Sequence, residues 1–128
     1  MSDSFDEMWE QQYDFMRLLQ EKRGFPQFPV DISSKHGQKL LEDISFHMMK
    51  ELFEAGQHLK NSKSHRITEI KDVDQDAYLE ELVDVLHLYF EVCIAAGITP
   101  ERLKESYLAK GRTNFGRINT GYLSHEKR

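Results

Sequence analysis

Apolar side chains recur along this chain at spacings of three and four, the period of a helix face. Phe5, Met8, Trp9, Gln12, Phe15, Met16 and Leu19 place a first helix at about Phe5 to Lys22, with Arg23-Gly24 as its stop. Phe25-Pro26-Gln27-Phe28-Pro29 is extended or turning, because proline restricts both itself and the residue before it. Leu40, Leu41, Ile44, Met48, Leu52 and Leu59 predict a second helix from about His36 to Leu59, capped by Ser33 or Ser34. Lys60 to Val73 is polar and reads as a long loop. A third helix starts near Asp74 or Gln75 and reaches Ala96. It carries apolar residues on most of its circumference, the mark of a central helix. Gly97 ends it, and Thr99-Pro100 restarts the chain as N-cap and first helical residue. The fourth helix ends near Phe115, with an irregular tail from Gly116. Together these elements predict an all-α protein of four main helices.

The 128 residues suit one domain over 1–128. The 39% hydrophobic and 30% charged composition is that of a globular chain. A net charge of -5 argues against a nucleic acid polymer as partner. No apolar run approaches the ~18 residues of a membrane span, so no membrane partner is expected. The acidic start, Met1 to Glu7, lacks the apolar stretch of a signal peptide, and a single cysteine, Cys93, rules out an internal disulfide framework. A cytoplasmic location is expected, the host cytoplasm if the protein is phage-encoded. Charge is uneven: residues 1–100 hold 10 basic and 19 acidic side chains, residues 101–128 hold 7 and 3. The C-terminal end is where an anion would be welcome.

The acids of the third helix stand out. Glu80, Glu81, Asp84 and Glu91 interrupt its apolar sequence, and Glu51 and Glu54 flank Leu52 and Phe53 in the second helix. A carboxylate taken from water needs a partner or a metal. Glu51/Glu54 and Glu81/Asp84 are each three apart, which puts each pair on one helix face. Twenty-six residues separate Glu54 from Glu81, enough to finish one helix, cross a loop and lay the next alongside. Four converging carboxylates repel one another unless a hard divalent cation sits among them, and Mg²⁺ or Mn²⁺ takes oxygen ligands. The plainer alternative is a set of surface acids. Lys110, Asn114 and Arg117, spaced four and three apart, suit a phosphate chain, or else a solvated, dipole-favoured helix end. Lys60, Lys63 and Arg66 in the loop are a second phosphate candidate.

The string Glu81-Leu-Val-Asp-Val-Leu-His87, with Gly97-Ile-Thr-Pro, Tyr107-Leu-Ala-Lys-Gly-Arg-Thr-Asn-Phe-Gly-Arg117 and Gly121-Tyr122, together with the paired acids, resembles the all-α nucleoside triphosphate pyrophosphohydrolases. That superfamily includes MazG-like proteins, dimeric dUTPases and phage dCTPase/dUTPases, and the similarity covers about 36–122. The resemblance implies a MazG-like four-helix bundle completed by homo-oligomerisation, as a dimer or tetramer. It implies Mg²⁺, or Mn²⁺, on Glu51, Glu54, Glu81 and Asp84, which are also the catalytic set. It implies phosphate contacts from Lys110, Asn114, Arg117, Lys63, Arg66 and Tyr122, and a base pocket with Gln12, Phe25 and His47 as candidates. The implied reaction is hydrolysis of a nucleoside or deoxynucleoside triphosphate between the α and β phosphates, with the base open between dUTP/dCTP and dGTP/GTP. Glu54 is favoured over Glu51 as general base. Two other classes compete. One is a non-catalytic acidic helical interaction module. The other is a di-iron carboxylate bundle, for which the chain offers only a single Asp84-x-x-His87.

Overall fold

The computed structural model describes residues 3–61 and 69–120. It is all-helical: α1 (Ser4–Arg23), α2 (Lys35–Gly56), α3 (Gln75–Ala95) and α4 (Pro100–Asn119), with no strand among the described residues. No single helix among them is long and apolar enough to cross a membrane. The chain divides into two compact units, Met1–Gly97 and Ile98–Arg128.

Every helix starts on a side-chain cap. Asp3 accepts from the Asp6 amide at 2.8 Å, Ser34 from Gly37 at 2.8 Å, Asp74 from Ala77 at 3.1 Å and Thr99 from Arg102 at 3.2 Å. Each bond satisfies an amide that the helix itself leaves without an acceptor. α1 stops at Gly24, whose φ of 71° is a left-handed conformation that glycine adopts without a Cβ penalty.

Two boundaries differ from the sequence expectation. α2 ends at Gly56 rather than Leu59, and the next three residues tighten into turns, with amides of Gln57, His58 and Leu59 bonding three residues back. α4 runs through Gly116 to Asn119. A helix-interior glycine costs only ~1 kcal/mol, too little to stop a helix, and the Thr120 amide bonds the Gly116 carbonyl at 3.0 Å.

Within the first unit α3 lies between α1 and α2. The end of α2 meets the start of α3, where the His58 and Tyr78 rings are 6.4 Å apart, so these two helices are antiparallel. α1 docks on the other end of α3. Phe90, nearly fully buried, takes the ring of Phe5 at 5.4 Å and that of Trp9 at 5.3 Å. Leu88, Phe90, Cys93, Ile94 and Ala95 form the buried half of α3, with Met16 and Trp9 from α1 and Ile44 and Ala55 from α2. The polar loop after α2 is tied at its neck by one side chain. Asn61 donates to the Lys71 carbonyl at 2.8 Å and accepts from the Lys71 amide at 3.0 Å.

Phe28 is buried beneath the Arg17 guanidinium, 4.3 Å from its ring, and the Val30 amide bonds the Ala95 carbonyl at 2.8 Å. That bond fixes the α1–α2 connection against the end of α3. The turn into α2 is close-packed at Gly37, where a Cβ would lie 2.2 Å from the Asp31 carbonyl oxygen. Gly37→Ala is therefore expected to cost ~1–3 kcal/mol, as overpacking does. A urea melt checks this, and an unchanged midpoint would show that the turn has slack.

The apolar residues of α3 are not all covered. Leu79 and Tyr89 are exposed, as are Phe46, Met49, Leu52 and Phe53 on α2.

Candidate functional site

Three helices of the first unit line an open cavity of about 580 Å³. That volume is within the ~300–1,000 Å³ typical of small-molecule sites. α1 gives it Gln11, Gln12, Phe15 and Leu19, and α2 gives it His47 and Glu51. Its α3 wall is Asp84, His87, Leu88 and Glu91, positions that recur at three and four and so share one helix face. One acid of each predicted pair, Glu51 and Asp84, thus faces the same space from opposite sides of the α2–α3 hairpin.

The other two acids sit one turn away. Glu54 is half-buried on α2. Glu81 is half-buried on α3, with Oε1 3.8 Å from His58 Nε2. Its second oxygen, Oε2, is buried and accepts no hydrogen bond. An anionic oxygen closed off from water and unpaired is costly, and a cation or a donor must answer it. A hard divalent ion would do so, and the donor chemistry of four carboxylates fits Mg²⁺ or Mn²⁺. In the arrangement seen, no group of three or more His, Cys, Asp or Glu side chains among the described residues is gathered closely enough to hold an ion. Like charges repel, and nothing in the chain itself draws four carboxylates together.

Histidine answers two of the acids. His47 Nε2 is 3.3 Å from Glu51 Oε1, and His58 faces Glu81 as above. On the far side of the cavity, buried Gln12 donates from Nε2 to Glu91 Oε1 at 3.3 Å. Burial pushes the Glu91 carboxyl above its ordinary range, and nearby His47 offsets part of that rise. Burial likewise raises the Cys93 thiol, with a hydrogen bond to Tyr89 opposing it.

Of the base-pocket candidates, Gln12 and His47 line the cavity. Phe25 instead stands edge-on to Phe28, with ring centroids 5.9 Å apart. Lys110, Asn114 and Arg117 share one face of α4, the first two exposed. Lys63, Arg66 and Tyr122 lie outside the described residues. Sequence reasoning gave no role to Glu91, Gln11, Phe15, Leu19 or Leu88 in this space. The signal for Glu91 was present, since it stands seven residues after Asp84, on the same face of α3. The resemblance already put Gln12 of α1 in the pocket; what the sequence could not supply was that Gln11, Phe15 and Leu19 join it there. No family model, curated protein or solved structure matches this chain.

Proposed function

We propose that this protein is a metal-dependent nucleoside triphosphate pyrophosphohydrolase. It cleaves between the α and β phosphorus atoms to give a nucleoside monophosphate and pyrophosphate. The observation that carries the reading is the pairing of Glu51-x-x-Glu54 with Glu81-x-x-Asp84 across antiparallel α2 and α3. One acid from each pair opens on the cavity, and a buried Glu81 oxygen is left without a partner. Glu51, Glu54, Glu81 and Asp84 would hold Mg²⁺ or Mn²⁺, and a bound divalent ion supplies charge neutralisation at the phosphates.

The chain's own groups do the rest. On the sequence resemblance, Glu54 rather than Glu51 is the carboxylate assigned to take the proton of the attacking water, while Glu51 faces His47. Phe15, Leu19 and Leu88 give a base an apolar surface to stack on. Lys110, Asn114 and Arg117 carry charge and donors suited to a triphosphate chain. They belong to the proposal through the sequence resemblance, not through their placement. The same reading includes a MazG-like assembly, in which a second copy covers the exposed Phe46, Met49 and Phe53 of α2. Light scattering should then return twice or four times the chain mass, and a monomer would remove this part.

The deciding experiment is a panel of all common NTPs and dNTPs with Mg²⁺ or Mn²⁺, reading pyrophosphate and free phosphate separately. Pyrophosphate is expected, and free phosphate alone would defeat α–β cleavage. Melting curves with and without the metal give an independent check, because an ion that binds only the folded chain stabilises it. No turnover together with no metal shift would favour the non-catalytic interaction module.

A further inference from the structure

The cavity holds a polar pair that the hydrolytic chemistry does not use. Gln12 is 5% exposed, an unusual burial for an amide side chain, and it donates to Glu91 Oε1 from across the α1–α3 contact. Both residues line the space walled by Phe15, Leu19 and Leu88. The pair therefore sits where apolar walls can take the face of a flat ring and where hydrogen-bonding groups meet the ring's edge. This is the usual division of labour in reading a base taken out of its stack.

We infer that Glu91 and Gln12 select a guanine nucleotide by its Watson–Crick edge. Ionised, the Glu91 carboxylate offers two acceptor oxygens side by side and no donor, and two incoming N–H donors favour that form against the burial that opposes it. Guanine presents two donors side by side, N1–H and the N2 amino group, with the O6 acceptor next to them. Glu91 takes the two donors in a bidentate, charge-assisted contact. The Gln12 amide nitrogen carries two hydrogens. One serves Glu91 Oε1, and the other donates to O6. Cytosine and adenine each place a ring acceptor beside their amino donor, so one carboxylate oxygen would face a lone pair. Uracil and thymine flank their single N–H with two carbonyls, which meet the carboxylate as like charge. A buried polar group left unmatched is costly, so the wrong base is rejected more strongly than the right one is attracted.

This assignment rests on the nucleotide reading above but can fail separately from it. The probes are dGMP, dIMP and dUMP, titrated calorimetrically onto the full-length protein without turnover. Hypoxanthine, the base of dIMP, keeps N1–H and O6 and lacks only the amino group. Wild-type protein is expected to bind dGMP ~10-fold or more tighter than dIMP, the loss typical of one hydrogen bond to a charged group. It should bind dUMP more weakly than either. In Glu91→Gln the dGMP-to-dIMP ratio should fall to near one, because a carboxamide has a single acceptor. The wild-type comparison stands even if that variant does not fold. Equal affinities for dGMP and dIMP, no binding of dGMP, or a ratio preserved in a folded Glu91→Gln each overturn the inference. Pyrophosphate release from nucleotides without a dGMP preference would overturn it and leave the hydrolase reading intact. A dGMP preference with no triphosphate turnover would do the reverse.

Discussion

Glu81→Gln is expected to lower kcat for pyrophosphate release by ~10²–10³-fold, the scale seen when one preorganised electrostatic group is removed from an active site. Asp84→Asn is expected to do the same. A fall of less than about tenfold in either would count against the carboxylate assignment. Glu81→Gln carries a second expectation of opposite sign. Glu81 Oε2 is buried and accepts no hydrogen bond, and the carboxylate is offset only through Oε1 by His58 at 3.8 Å, so in metal-free protein a neutral amide relieves a poorly satisfied charge. The metal-free variant should melt at or above the wild-type temperature while losing both activity and the stabilisation that Mg²⁺ gives the wild type. Stability surrendered for function is the pattern of an active site, whereas a structural acid would destabilise the fold when neutralised. Thermal melts of both proteins with and without Mg²⁺, run beside the kinetic assay, separate these cases. Asp84 is exposed, so its variant should leave the metal-free melt near that of the wild type.

Phe90→Ala is the substitution expected to cost most in stability. Its ring is 3% exposed and is the one ring on α3 that meets both Phe5 and Trp9. Removing a buried phenyl ring costs ~3–5 kcal/mol, counting lost transfer energy and the cavity left behind. For a chain of this size that shifts the melting temperature by on the order of 10–20 °C. The loss falls on the α1–α3 contact, so the Gln12 and Phe15 wall of the cavity should loosen before the α2–α3 hairpin does. Hydrogen exchange read along the helices checks the order. Early exchange in α1 with α2 and α3 still protected is the expected result, and simultaneous opening of all three would show a single cooperative unit.

The helices were largely legible in the sequence because their signals are local. Thr99 caps α4 as its sequence predicts, Ser34 is the one of the two candidate serines that caps α2, α3 starts at Gln75 within the expected boundary, and Gly24 and Gly97 both take positive φ where the sequence predicts a helix end. The misjudged ends have local causes too. Gly116 reads as a stop, although a glycine inside a helix is only mildly unfavourable. Leu59 continues the apolar stripe of α2 in the sequence, but after Gly56 the chain tightens into turns.

The candidate site divides in the same way. Spacing alone puts Glu51 with Glu54 and Glu81 with Asp84, because three residues is nearly one helical turn, and the length between the pairs permits a hairpin. Spacing cannot say that Glu51 and Asp84 share a cavity while Glu81 turns toward His58. Nor can it say that Gln12, seventy-nine residues from Glu91, becomes its hydrogen-bond donor. Helical period and capping act over three or four residues and are written in the chain. Which faces meet is settled by burial, when Phe90 takes Phe5 and Trp9 and so brings α1 across α3, and that long-range choice exists only in the folded molecule.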